Sequence, residues 1–95
     1  MKLLGPYTDA KNTYQRQYCR YEFTSSKERP ITSTFVYQSK YSPKWIIDGF
    51  YANSLQSTQY ETIEEAKQAL DDSLISRGMI LANSEEELDK YLLLL

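Results

Sequence analysis

The spacing of the apolar residues changes once along this chain, near residue 62. Before it, aromatic and β-branched residues recur at every second position, which is the period of a β-strand. After it, they recur at every third or fourth position, which is typical of an amphipathic α-helix. We therefore expect a single α+β domain over residues 1–95. Its three- to four-stranded antiparallel sheet would be followed by two helices packed on one face.

Residues 13–24 show the two-residue alternation most clearly, and it assigns their side chains to two faces. The predicted core face carries Cys19, Tyr21 and Phe23. The predicted solvent face carries Tyr14, Arg16, Tyr18 and Arg20.

Three more strands are predicted, at 31–38, 45–51 and 58–61. The second strand carries Ile31, Phe35 and Tyr37 on one face. Within the third strand, Asp48–Gly49 is either a bulge or a turn. We favour a bulge, with Phe50 and Tyr51 continuing the strand. Trp45, beside two isoleucines, is interpreted as a core residue.

Two capping boxes mark the helix starts, at 62–65 and 84–87. The first helix should bury Ile63, Ala66, Leu70 and Leu74 and end at Gly78, a residue suited to the left-handed C′ position. Residues 79–82 form a short strand or an extended link. The second helix carries Leu88, Tyr91, Leu92 and Leu95 on one stripe.

The chain lacks the residues that most enzymes use. It has no histidine, and its one cysteine, Cys19, is predicted to be a buried apolar residue. Neighbouring helical carboxylates, such as Asp71 and Asp72, point about 100° apart and do not form an acid–base pair. We therefore expect no catalytic residues, no metal site and no cofactor.

One cysteine cannot form an internal disulfide, and the first residues are not those of a signal peptide. The apolar end of the chain is too short to cross a bilayer. These features favour a cytoplasmic protein that does not associate with membranes.

Charge is distributed unevenly along the chain. Residues 1–50 hold eight basic and four acidic side chains, whereas residues 51–95 hold three and nine. The basic residues and tyrosines of the first half suggest a binding surface, for which the candidates are Tyr14, Arg16, Tyr18, Arg20, Lys40 and Lys44. Tyrosine and arginine are enriched at protein interfaces, and they also bind single-stranded nucleic acid.

The second half offers an acidic surface, formed by Glu64, Asp71, Asp72, Glu85, Glu86 and Asp89, that could meet a basic partner. Leu93 and Leu94 lie off the apolar stripe of the last helix. They either pack on the sheet or join a second copy, which would give a homodimer through the C-terminal helix.

Residues 60–71 resemble the strand-to-helix junction of AP2-type DNA-binding domains. The resemblance covers twelve residues and implies nucleic-acid binding. Gln59 replaces the usual glycine, and the arginine-rich strand pattern is not reproduced around Trp45. In general character, the chain is also similar to small phage-encoded inhibitors such as anti-CRISPR proteins.

Two functions follow as expectations. The first is a non-enzymatic module or inhibitor that binds a protein. The second is a nucleic-acid binder that uses the basic, tyrosine-rich strand face. We rank the protein-binding function above nucleic-acid binding, because an acidic chain with a pI of about 5.1 repels a polyanion overall.

Overall fold

The computed structural model describes residues 2–10 and 15–95. Within these residues the chain forms seven strands and two α-helices. The strands are β1 (Leu3–Leu4), β2 (Thr8–Asp9), β3 (Gln17–Phe23), β4 (Ile31–Gln38), β5 (Trp45–Gly49), β6 (Gln59–Tyr60) and β7 (Ile80–Leu81). The helices are α1 (Ile63–Ser76) and α2 (Glu85–Leu92), and a 3-10 helix (Asn53–Ser57) joins β5 to β6.

The strands form one sheet in the order β6-β5-β4-β3-β1-β7, with β2 also paired to β3. The sheet curls into a half-barrel. All neighbouring strands are antiparallel except β1 and β7, which are parallel. The α+β class is confirmed, but the sheet is larger than the predicted three to four strands, and it is mixed. Strands of two residues, such as β1 and β2, are too short to show any period in the sequence.

Helix α1 packs on one face of the sheet. Its buried residues are Ala66, Leu70 and Leu74, as the helical spacing predicted. They form a core with Leu4, Val36, Ile47 and Ala52, and the half-buried Trp45 packs against it. The sequence interpretation of Trp45 as a core residue agrees with this position.

Helix α2 packs on the opposite face. Leu88 of α2 forms a second core with Leu3 and Ala82, whereas Leu4 belongs to the core beneath α1. Adjacent residues of a strand point to opposite faces of the sheet, so Leu3 and Leu4 separate the two helices. The expectation that both helices cover one face is therefore wrong. Because Leu3 and Leu4 are both apolar and point to opposite faces, each face of the sheet needs a helix to bury one of them.

Both helix starts agree with the sequence. Thr62 Oγ1 accepts a hydrogen bond from the Glu65 amide, and Ser84 Oγ accepts one from the Glu87 amide. Gly78 follows α1 with a φ of +82°, as predicted for a glycine that ends a helix. Helix α2 ends at Leu92, earlier than the predicted stripe, and Leu95 is half exposed.

The third predicted strand is shorter than expected. Strand β5 ends at Gly49, whose φ is +94°, and residues 50 and 51 form a turn. The prediction of a bulge with a continuing strand is wrong at this point, and the alternative of a turn is correct. Asp48 supports the turn by accepting a hydrogen bond from the Gly49 amide at 2.8 Å.

Candidate functional site

The structure separates the six residues that the sequence grouped as a binding surface. Tyr14 lies outside the described residues. The remaining five differ in exposure, in that Arg20 is buried, Tyr18 and Lys44 are intermediate, and Arg16 and Lys40 are exposed. Of the five candidates that the structure describes, Arg16, Lys40 and Lys44 are brought to one end of the sheet.

Arg20 is an interior residue, with 2% of its surface exposed. Its Nε and Nη2 donate to the two carboxylate oxygens of Asp71, at 2.9 and 3.1 Å. Nη1 donates to the carbonyl oxygens of Gly5 and Ala82, and Nη2 also donates to Asn83 Oδ1. A guanidinium has five N–H donors, and these contacts use all five. The prediction that Arg20 lies on a solvated binding face is wrong.

Tyr7 completes this interior network. Its hydroxyl donates to Asp71 Oδ1 at 2.9 Å, and the Arg20 guanidinium lies 4.3 Å from the centre of its ring. Burial, together with the negative charge of Asp71, raises the pKa of Tyr7 well above its usual value of 10. The phenol is therefore protonated at neutral pH. This network joins β3 to α1, and it is only partly buried, because the Asp71 side chain is 22% exposed.

Tyr18 also faces α1 rather than solvent. The ammonium group of Lys67 lies 4.8 Å from the centre of the Tyr18 ring, and Trp45 lies 6.1 Å away, centre to centre. The face of β3 that was assigned to solvent is therefore partly buried, whereas Cys19 and Phe23 of the predicted core face are buried or pack against the second core. Asp71, which the sequence placed on the solvated face of α1, is the partner that compensates the charge of the buried Arg20.

The second face of the sheet is only partly covered. Val36 and Ile47 point toward α1, so Phe35, Tyr37 and Ile46 point to the other side. Register pairs Phe35 with Cys19 and Tyr37 with Ile46, and Tyr21 follows Cys19 on the same side. We call four of these side chains the open face: Tyr21, Phe35, Tyr37 and Ile46.

Within the described part of the chain, neither apolar core includes a residue of the open face. Helix α2 covers the end of the sheet near Leu3, Phe23 and Ile80 instead. The four side chains are half-buried, and the Phe35 and Tyr37 rings lie 6.0 Å apart. The sequence assigned Tyr21 to the core face of its strand and placed Phe35 and Tyr37 on one face of the next strand, since alternation cannot show where a covering helix ends.

Cys19 lies beneath the open face and is 5% exposed, so the prediction that it is buried is confirmed. Burial raises the pKa of its thiol, and a hydrogen bond with Tyr21 opposes that effect. A protonated, buried thiol is a poor nucleophile. Cys19 therefore acts here as an apolar side chain.

A basic end adjoins the open face, and we define it by Arg16, Lys40, Tyr41 and Lys44. Backbone hydrogen bonds bring these segments together, from the Gln38 amide to the Arg16 carbonyl and from the Ser39 amide to the Lys44 carbonyl. Tyr41 is 92% exposed. Lys44 forms an ion pair with Glu61. Among the described residues, Arg16 takes part in no ion pair.

The acidic residues do not form the single patch suggested by the sequence. Asp71 is paired with Arg20 in the interior. Lys27 contacts Glu85 and Asp89, at 2.8 and 2.6 Å, which offsets part of the charge on α2. Glu64 and Asp72 remain exposed on α1.

No group of three or more metal-ligating side chains lies together within residues 2–10 and 15–95. Neither of the helices described in that part of the chain is long and apolar enough to span a bilayer. The chain matches no protein-family model, no curated protein and no solved structure.

Proposed function

We propose that this chain is a non-enzymatic binding module whose partner is a protein, bound through the open face. The observation that carries the proposal is that Tyr21, Phe35, Tyr37 and Ile46 form an aromatic and aliphatic surface outside both apolar cores. Neighbouring aromatic side chains on a firm sheet lose little rotamer freedom on binding, so they form good anchors for a partner.

The chemistry of the open face favours a protein over a polyanion. None of its four side chains carries a charge at neutral pH, and Asp48 extends from β5 on the same side as Phe35. Burying such side chains gives most free energy against another apolar surface. With Arg20 buried and Tyr18 packed against the core beneath α1, the basic stripe proposed for nucleic-acid binding is reduced to residues at one end of the sheet.

One observation keeps nucleic acid as a second candidate. The basic end places Arg16 and Lys40 near Tyr37, and it includes the highly exposed Tyr41. Stacking of bases on tyrosine rings beside cationic groups is a common mode of single-strand binding. Such binding would weaken strongly with salt, because it releases counterions from phosphates.

The homodimer expected through the C-terminal helix stays a prediction. Leu93 and Leu94 are 87% and 78% exposed, so neither packs on the sheet of its own chain. Sedimentation of the purified chain would measure self-association, which would identify a second copy as the protein partner.

The experiment compares capture of partners from the source cells by the immobilised chain and by two variants. The Phe35→Ser, Tyr37→Ser double variant removes two rings of the open face. Ile75→Ser is the matched control, because Ile75 is exposed on α1, away from that face. We expect the double variant to reduce the captured protein at least roughly tenfold. The control should retain it within about twofold.

Circular dichroism and thermal unfolding would establish that each variant is folded. Raising the salt from about 0.1 M to about 0.5 M should leave capture largely intact, since apolar contacts are not screened. Equal capture by all three proteins would contradict the proposal. Retention on a poly(dT) column that disappears with salt, and with Arg16→Ala, would favour nucleic acid instead.

A further inference from the structure

The open face lies between two ends of opposite charge. The basic end carries three cations, and Glu61 pairs with one of them, Lys44. The opposite end, which we call the acidic end, consists of the connection between β3 and β4, residues 24–30, and of α2. These two segments hold five acidic and three basic side chains. The charge therefore changes from positive to negative along the direction of β3.

The acidic end presents carboxylates on the flank of α2 that faces the connection between β3 and β4. Glu85 and Asp89 both contact the ammonium group of Lys27, at 2.8 and 2.6 Å. Their side chains are 71% and 62% exposed. One ammonium group compensates one of the two carboxylates, so negative charge remains at this flank. It is accessible to a cation of another molecule.

The two ends lie at similar distances from the middle of the open face. Phe35 is the register partner of Cys19, which is three residues from Arg16 and four from Phe23. Phe23 packs against the core that α2 covers. With a rise of about 3.3 Å per strand residue, each end is roughly 10 to 13 Å from the middle. A second copy of this face, placed over the first with its strands reversed, therefore brings opposite charges together at both ends.

We infer that the open face binds a second copy of this chain, in a face-to-face dimer whose β3 strands run in opposite directions. The inference rests on the proposed protein-binding function and deepens it by naming the partner. Apolar side chains of the two open faces form the centre. At each end, Arg16 of one copy approaches Glu85 and Asp89 of the other. The same contact occurs twice, as a two-fold interface requires.

The size of the open face also requires contacts at the ends. Three strands spaced about 4.8 Å apart, over seven residues, cover only roughly 300 Å². A stable interface takes about 800 Å² from each partner. The ends supply further area, and they fix the orientation, because two copies with parallel strands would bring like charges together.

Asp48 is a charged residue near the middle of this interface, in register with Phe35. Its carboxylate accepts hydrogen bonds from the Gly49 amide and from Gln56, at 2.8 and 2.6 Å. Asp48 thus has hydrogen-bond donors within its own chain, and the second copy does not have to supply one.

The test measures self-association of the purified full chain by sedimentation equilibrium. Arg16→Glu and Asp89→Arg each place like charges at both ends of the dimer, and each should raise its Kd at least roughly tenfold. In an equimolar mixture of the two variants, every end contact of the mixed dimer joins opposite charges. The mixture should therefore associate within about threefold of wild type.

Matched controls make the same charge changes on the other side of the sheet. Arg77 and Asp72 are exposed, at the end of α1 and within it. Arg77→Glu and Asp72→Arg should change the Kd by less than about twofold. Thermal unfolding checks that each variant is folded, and Glu85→Arg serves as a second variant of the acidic end. Restoration by mixing could not come from misfolded proteins.

The outcomes separate the dimer from the proposed function. A wild-type chain that stays monomeric at about 1 mM, yet captures another protein through Phe35 and Tyr37, would refute the second copy and leave the proposed function standing. Unchanged self-association and unchanged capture in the Phe35→Ser, Tyr37→Ser variant would refute both. Association that depends on Leu93 and Leu94 but not on Arg16 would overturn the inference. A mixture that fails to restore association would overturn it too.

Discussion

Arg20 and Asp71 are separated by 51 positions in the sequence and form a bidentate ion pair in the interior of the protein. The pair joins β3 to α1, and the same guanidinium binds the carbonyls of Gly5 and Ala82 on either side. Four segments of the chain therefore meet at one side chain. This arrangement places α1 on the sheet and takes Arg20 away from any binding surface.

Removing one partner of this pair should strongly destabilise the fold. Arg20→Met leaves the Asp71 carboxylate without its cation and two backbone carbonyls without their donor, at an expected cost of about 3–5 kcal/mol. Urea unfolding measures this cost as a lower midpoint. Asp72→Asn is the matched control, because Asp72 is exposed beside Asp71, and it should change stability by less than about 0.5 kcal/mol. A cost for Arg20→Met close to that of the control would show that the ion pair is not structural.

Stability should fall at alkaline pH because of Tyr7. Its folded-state pKa is raised above 10 by burial and by Asp71, so the unfolded chain loses this proton first as the pH rises. The unfolded state then binds fewer protons than the folded state, and the free energy of unfolding decreases above pH 10. One such group contributes a slope of up to about 1.4 kcal/mol per pH unit.

The measurement is the urea midpoint of wild type and Tyr7→Phe between neutral and alkaline pH. Arg20, Asp71 and Lys67 surround the Tyr7 ring and are unchanged in the variant. Tyr7→Phe should lose about 1 kcal/mol at neutral pH with its hydrogen bond. It should then show a shallower alkaline decline than wild type. The decline will not vanish, because burial also raises the pKa values of Cys19 and Tyr21. Parallel curves for the two proteins would exclude Tyr7 as the cause.

The two helix caps should each contribute about 1 kcal/mol. Thr62→Ala and Ser84→Ala remove the hydroxyl that accepts from the third amide of α1 and α2. Thr62→Ser and Ser84→Thr should retain most of the stability. Thr58→Ala provides a control, since Thr58 is exposed and ends the 3-10 helix through its backbone. Thermal unfolding that ranks Thr58→Ala with the cap variants would contradict this assignment.

Gly5 is expected to tolerate no side chain, for a reason of space. A Cβ atom at this position would lie 2.6 Å from Cε2 of Phe23, so the ring would have to move within the second core. Gly5→Ala should cost about 1–3 kcal/mol, as overpacking does elsewhere.

Gly78→Ala is a useful comparison for this prediction. A Cβ there meets no atom within 4 Å, but the φ of +82° makes any side chain strained, at about 1–2 kcal/mol. Shortening the neighbour with Phe23→Leu should therefore rescue Gly5→Ala and leave the cost of Gly78→Ala unchanged. A double-mutant cycle measures this coupling. Additive effects for Gly5→Ala and Phe23→Leu would mean that the two residues do not collide.

The two helices could be predicted because the sequence features that specify them lie within a few residues of one another. The caps at Thr62 and Ser84, and the stripe of Ala66, Leu70 and Leu74, act over one or two helical turns. The strands β3 and β4 were placed correctly for the same reason. The turn at Gly49 was ambiguous, since a bulge and a turn both favour Asp–Gly, and only the contacts of Tyr51 with Lys2 and Glu22 decide between them.

The candidate site was harder to predict. Arg20 and Tyr18 alternate with apolar residues, which is the pattern expected of a solvent-exposed strand face. Their contacts in the structure, Asp71 and Lys67, lie about 50 positions away, so the local sequence does not indicate them. Phe35 and Tyr37 have the composition of a core strand, and whether a helix covers them depends on the length and position of α2.

The sequence by itself determined the α+β class, the helix boundaries near their caps and the absence of histidine chemistry. These depend on residue type and on spacing within a few positions. Tertiary structure alone decided which side chains are buried on each face of the sheet. That choice depends on pairs such as Arg20 with Asp71 and Leu3 with Leu88, which are distant in the sequence. Their favourable contact free energy exists only after the chain has closed around them.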